Sequence, residues 1–484
     1  MKKFIWIALI LCFAAVGMFA CAKKDKIKSD SELSTCAHED ELISFVTNRT
    51  ETPFAAEYTC SICGRKVTRS FGYEEIDIPL VEIKGNLDGI SKEDKVRATI
   101  RYQSAELSFE KKAMLKWQGN SSLEYPKKNY SVTLYDSKYN KKEKIAVKEE
   151  WGAQSKYCLK SNYVDPSGAR NLVLSDLYGE VARSRISDDP FKDLPNGGAV
   201  DGFLILLYHN GQYLGLYNWN IPRDKWLFGM GDEDAGEAIL CGDIVEKDGV
   251  PGITLDENEK DHWEIEYCNE KFSEGKGESW CVDSFNEMLS FVKNADGETL
   301  RAQGNAYLNM DRTLDVLLFL CVFGVCDNLH SNMVWCTYDG KAWAPIPYDL
   351  DRTLGRDGTR LYEAKGLDDF KGLFLYGNIF VTFYEELRTR YFAFRETLFT
   401  TEHVSSLISE NIKGVDDRYF RSEFEKWEEA DWRETLSVLP IGSFDDELKY
   451  IKDYLDQRFA FCDEIFAREE LMFDKEGRLF FGEN

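Results

Sequence analysis

The period of the apolar residues changes along the chain, and that change limits the folds open to it. Residues 78–83, 96–102, 109–117 and 129–135 are apolar in strand fashion, with a two-residue alternation clearest in the last. Residues 203–208 and 214–219 flank His209-Asn210-Gly211-Gln212, a hairpin with an Asn-Gly turn. Residues 165–183 instead place Leu172, Leu174, Leu177, Tyr178, Val181 and Ala182 near helical spacing. Residues 314–323 form an apolar helical stretch, Asp339-Gly340 turns a short hairpin, and residues 370–469 read mostly as amphipathic helix. The acidic, Gly-rich stretch 229–280 reads as an insertion or lobe connection, and no internal repeat is visible. Sheet first and helices last predict a two-lobed α+β architecture, with a mainly antiparallel sheet in the N-terminal lobe and a helical C-terminal part.

The 484 residues carry a formal net charge of −25. Phosphate-backbone binding needs a basic face, so a nucleic-acid partner is not expected. The charge serves solubility, and it is also compatible with a cation-using site. Met1-Lys2-Lys3 followed by the apolar residues 4–16 reads as an export signal, too short to span a bilayer. Ala20-Cys21 after that run resembles a bacterial lipobox, with Met18 and Phe19 where small aliphatic residues are usual. The expectation is cleavage before Cys21, a lipid on its thiol, and a polar tether over residues 21–34. That places the protein on the extracytoplasmic face of the cell membrane, held by its lipid. The alternative is a secretory peptide or an uncleaved anchor.

Residues 35–68 hold Cys36-Ala37-His38 and Thr59-Cys60-Ser61-Ile62-Cys63-Gly64. Cys36, His38, Cys60 and Cys63 offer four sulfur and nitrogen ligands, a set suited to structural, tetrahedral zinc. A segment this short cannot build its own core, so the metal would supply the folding energy. A disulfide is the alternative, since exported chains meet oxidants. The segment resembles short zinc-ribbon-like modules of Gram-positive surface proteins. Among the other cysteines, Cys241, Cys268 and Cys281 lie in polar, Gly-rich surroundings and are candidates to pair; Cys321, Cys326 and Cys336 read as core thiols.

The densest polar constellation is Cys326-Asp327-Asn328-Leu329-His330-Ser331-Asn332, followed after a hairpin by Tyr348-Asp349-Leu350-Asp351. An Asp, an Asn five positions later and a further Asp beyond a hairpin recur in kinase-like sites. There the first Asp takes the acceptor proton, and the Asn and later Asp hold magnesium. Oxygen donors suit that ion. Asp327 fits the first role; Asn332, Asp349 and Asp351 fit the others, with Asp349 the first choice for metal.

Trp117-Gln118-Gly119-Asn120-Ser121-Ser122 with Pro126-Lys127-Lys128, Leu159-Lys160-Ser161-Asn162 with Arg170-Asn171, Asn210 to Tyr217, and Pro347 to Asp351 with Leu354-Gly355 stand in order along roughly 300 residues. Together these blocks resemble the spore-coat protein H (CotH) family of atypical kinases. Gln118 and Tyr348 stand where the family pattern has Arg and Trp. The resemblance implies a kinase-like domain over residues 73–470, with a tail over 471–484, that uses ATP and magnesium. Gly119, Asn120, Ser121 and Ser122 would cover the phosphates through backbone N–H groups. Lys128, or Lys127, would contact a phosphate oxygen, Asn162 would help hold the nucleotide, and Glu180 could orient a lysine. The implied activity is phosphoryl transfer to a Ser or Thr hydroxyl of a protein substrate by a monomer. Two other readings stand beside it. One is a cell-surface binding or scaffold module on an inactive kinase fold. The other, a carbohydrate hydrolase, rests on Asp349 and Asp351 alone.

Overall fold

The structure, a computed structural model, describes residues 40–45, 54–60, 66–71, 78–165, 167–184, 190–231, 235–242, 245–247, 250–252, 263–272, 280–325, 328, 332–357, 360–361, 376–415, 419–420, 423, 426–427, 444–473 and 479–480. Strands β1 (Asp40–Phe45), β2 (Phe54–Cys60) and β3 (Lys66–Phe71) form an antiparallel sheet of their own. Cys60 ends β2; Cys21, Cys36, His38 and Cys63 lie outside the described residues.

The main body begins with β4 (Leu80–Lys84), β5 (Val96–Gln103), β6 (Ser108–Gln118), β7 (Asn129–Tyr135) and β8 (Lys156–Lys160). Helix α1 (Arg170–Arg183) follows, then the hairpin β9 (Gly202–His209) and β10 (Gln212–Asn220). Asn210 and Gly211 both have positive φ, 47° and 78°, as the Asn-Gly turn requires. The alternation does what it predicts: Ala98, Ile100 and Tyr102 of β5 and Tyr130, Val132 and Leu134 of β7 point to the core.

The two-lobed expectation needs correcting here. The strands do not form an open lobe sheet. They close into a seven-stranded barrel in the order β10-β8-β7-β6-β5-β4-β9. Closure comes from β9, which pairs antiparallel with β10 and parallel with β4, Leu80 lying opposite Leu206. Inside the barrel Trp219 meets Tyr157 and Tyr102, with ring centroids 4.9 and 5.5 Å away.

The stretch read as an insertion supplies β11 (Ala238–Gly242), the short pair β12 (Val245–Lys247) and β13 (Val250–Gly252), and β14 (Trp263–Cys268). With β15 (Met333–Thr337) and β16 (Trp343–Pro347) it builds a second, antiparallel sheet in the order β14-β11-β15-β16. The α+β class holds. The remaining helices of the described residues are α2 (Trp280–Asn294), α3 (Gly297–Gln303), α4 (Met310–Phe323), α5 (Gly377–Thr382), α6 (Tyr384–Arg395), α7 (Thr401–Asn411) and α8 (Phe444–Phe466). Asn309 caps α4 by accepting from the Arg312 N–H, and Gly324 ends it in a left-handed conformation. Nearly every α4 side chain is buried, so α4 is a core helix rather than an amphipathic one. No helix among the described residues is long and apolar enough to cross a membrane.

Candidate functional site

A cleft of about 700 Å³ opens between the outer face of β6–β8 and the β14–β11 edge of the second sheet. Its floor is the turn that follows β16. Lys160, the last residue of β8, reaches across from the barrel, with its Nζ 3.5 Å from Asp349 Oδ1. Burial alone would pull the Lys160 ammonium down, but Asp349 and then Tyr348 outweigh it and raise its pKa. The Tyr348 ring carries two cations: Lys160 Nζ at 5.1 Å and the Arg223 guanidinium at 4.5 Å from its centroid.

The local sequence explains how the floor is built. Met333 pairs with Pro347, so Asn332 and Tyr348 leave the β15–β16 hairpin side by side. The Asn328 side-chain amide donates to both their carbonyl oxygens, at 2.6 and 2.7 Å, and fixes the two chain segments together. Asn332 and Asp349 both take left-handed backbone, φ 50° and 61°, which Asn and Asp tolerate better than other side-chain-bearing residues. The next N–H, of Leu350, donates to Asn171 Oδ1 of α1 at 3.0 Å. Asp351 is half-buried against the cleft floor. That burial, then the neighbouring Asp349 carboxylate, pushes its carboxyl well above the usual carboxylate range.

The mouth of the cleft is formed by the turn after β6. Gly119 has φ +115°, and a Cβ there would lie 2.0 Å from Ser122 Oγ, so the turn admits only glycine in this shape. Asn129 donates to Ser122 Oγ (3.3 Å) and accepts from the Ser161 N–H (2.7 Å), coupling this turn to the end of β8 beside Lys160. Lys92 bridges the mouth, donating to Asn120 Oδ1 and lying 3.5 Å from Glu264. Arg223 holds Glu264 and Glu266 of β14, each at 2.7 Å. Burial raises the Glu264 carboxyl, but Arg223 and Lys92 prevail and hold it below its ordinary value. Burial also pushes the Cys241 thiol, in the same wall, up to about 12.

Gly119, Asn120, Ser122, Asn332, Asp349 and Asp351 thus line one cleft. Ser121 lies in the same turn, with its side chain outside the description, and Asp327 lies outside the described residues. Lys128 and Asn162 are not brought to the cleft. The Lys128 ammonium donates to the Leu123 carbonyl oxygen and rests on the Trp117 ring. Lys127 is buried in an ion pair with Glu423 at 2.6 Å. Asn162 accepts from the Asn218 amide at 3.3 Å. Glu180 is bound to His403 of α7 and does not line the cleft. Sequence reasoning passed over Lys160 and Arg223. The alternation of β8, with Tyr157 and Leu159 inward, carries the signal that Lys156, Cys158 and Lys160 face out together; nothing local marks Arg223.

The donors at the floor are two carboxylates and an amide. Among the described residues, no group of three His, Cys, Asp or Glu side chains gathers as a metal site. The set fits magnesium, which binds through one or two carboxylates and keeps several waters. The Gln118 amide oxygen, buried in the cleft wall with no hydrogen-bond partner among the described residues, fits a polar ligand.

A lysine and an aspartate thus face each other across the cleft, beneath a glycine turn. Residues 115–462 match the family described as CotH kinase protein, and the chain belongs to that family. No curated protein matches the chain.

Proposed function

We propose that the protein transfers the terminal phosphoryl group of ATP, with magnesium, to a Ser or Thr hydroxyl of a protein substrate. The observation that carries this is the Lys160–Asp349 pair at 3.5 Å, with Asp351, Asn332 and the Gly119 turn lining the same cleft. When bound, the magnesium ion would neutralise charge on the transferring phosphates. Asp349, Asp351 and Asn332 are the groups to hold it. Lys160, pre-set by Asp349 and Tyr348, takes the phosphate-contacting role first expected of Lys128. The turn from Gly119 to Ser122 covers the nucleotide. Asp327, one residue before the anchored Asn328, takes the acceptor proton. Lipid attachment at Cys21, and zinc held by Cys36, His38, Cys60 and Cys63, belong to the same proposal for a membrane-anchored protein outside the cytoplasm.

The test is a thermal shift with ATP and magnesium beside Asp349→Ala. Stabilisation of the parent by about 2.7 kcal/mol at a hundredfold excess over the dissociation constant is expected, and its loss in the variant. One observation favours the second reading, a binding or scaffold module: Lys92 already joins the Gly119 turn to β14 across the mouth. No shift at millimolar nucleotide would select that reading.

A further inference from the structure

Beyond Lys160 the cleft continues along the outer face of β6, β7 and β8. The strand register sets its side chains in rows. Lys116 lies opposite Ser131, and Ser131 opposite Cys158. One row further out, Met114 lies opposite Thr133, and Thr133 opposite Lys156. Lys95, just before β5, borders the same wall. The other basic groups of this cleft are engaged: Lys160 with Asp349, Lys92 with Glu264, Arg223 with Glu264 and Glu266, and Arg352 with the Tyr125 hydroxyl. Lys95, Lys116 and Lys156 make no ion pair or side-chain hydrogen bond with any described residue. In a chain of net charge −25, a wall with three lysines and no acid to meet them is a site for an outside anion.

We infer that this wall binds an extended, acidic peptide segment, the stretch of the protein substrate that flanks the acceptor hydroxyl. The inference rests on the phosphoryl-transfer reading for the identity of the acceptor. Spacing argues for a peptide. Same-face side chains of an extended chain recur about every 7 Å, two residues at roughly 3.4 Å each. The two rows lie about 7 Å apart, but Lys116 stands on β6 and Lys156 two strands away on β8, so about 12 Å separates their backbones; carboxylates four residues apart on an extended segment span that distance and meet the two lysines in turn. Phosphates of one nucleotide are bunched too closely to reach both rows while also meeting the Asp349 floor. The Ser131 and Thr133 hydroxyls lie between the lysines and offer hydrogen bonds to the segment's backbone.

The experiment uses the full chain and a fluorescein-labelled peptide, Glu-Ala-Glu-Ala-Ser-Ala-Glu-Ala-Glu, beside its Lys-for-Glu counterpart, with anisotropy as readout. The parent should bind the acidic peptide and not the basic one. Lys116→Glu with Lys156→Glu should weaken binding on the order of tenfold at low salt, with the gap narrowing as salt is added. The melting temperature and the Mg–ATP shift of this double variant should match the parent's. Equal binding of both peptides, or acidic binding unchanged by the charge reversal, overturns the inference. So does loss of the Mg–ATP shift in the variant, which would give the lysines to the nucleotide. A parent with no Mg–ATP shift brings down the phosphoryl-transfer reading, while the anisotropy arm still decides what the wall binds.

Discussion

At Gly119 the backbone and the neighbouring Ser122 hydroxyl leave no room for a methyl group. Gly119→Ala should cost the turn about 1–2 kcal/mol in left-handed strain, besides displacing Ser122. The expected result is a smaller Mg–ATP shift with secondary structure intact by circular dichroism. Asp351 gives a pH prediction. Its folded pKa is raised, so between the ordinary carboxylate range and the raised value the folded state holds a proton that the unfolded state has released. Stability from this group therefore falls as pH rises through that window. Asp351→Asn should flatten the metal-free stability profile, be more stable than the parent at neutral pH, and lose the Mg–ATP shift; urea unfolding over about pH 4 to 8 reads the first two. Asn332, Asp349 and Asp351 were legible because one hairpin brings them together from nearby in the chain. Lys160 was not, because its partner Asp349 arrives from another sheet. Between Lys127, Lys128 and Lys160, residue type alone gave no way to choose.

Helix α1 shows the same limit among elements. The sequence suggested a start at Asp165, yet the helix begins at Arg170. Asp165 still serves that end: its carboxylate accepts the Arg170 N–H at 3.0 Å and a guanidinium N–H at 2.9 Å. The rest of the Arg170 guanidinium donates to Glu447 of α8 at 2.5 Å and to the Thr353 carbonyl oxygen at 2.9 Å. Arg356 binds Glu447 as well. One carboxylate from the C-terminal helix thus ties α1 to the chain that follows Asp351. Glu447→Ala leaves two buried guanidinium groups short of charge and should cost about 3–5 kcal/mol in urea unfolding. No periodicity reveals a contact between residues so distant in sequence. The cysteines of β14 and α2 make a further case. Cys241, Cys268 and Cys281 are free thiols, not a bridge. The Cys281 hydrogen bond holds the half-buried Cys268 thiol below its ordinary value, while that same contact, then burial, pushes Cys281 up. Iodoacetamide should therefore label Cys268 well before Cys281, as followed by peptide mass spectrometry.

For the whole molecule, β4 to β7 were legible from their own residues, and so was the β9–β10 hairpin, while β8 was passed over. Closure was not, because the parallel β4–β9 pair joins strands separated by five elements and leaves no local pattern. The family match opens at residue 115, inside β6, after β4 and β5 have passed. A chain starting at residue 115 would expose the edges of both β6 and β9. It should fail to give a cooperative melt, whereas a chain starting at residue 73 should give one.

That closure also has a meaning in time. Leu80 of β4 must wait for Leu206 of β9 before its second edge is filled. A ribosome or a translocation pore delivers the chain N-terminus first, so the opening strands emerge well before the strand that completes their circuit. The entropy of closing so long a loop is met late, and contacts distant in sequence slow folding. In that interval β4 offers its unfilled edge to any passing strand, and a holding chaperone has its natural point of action there.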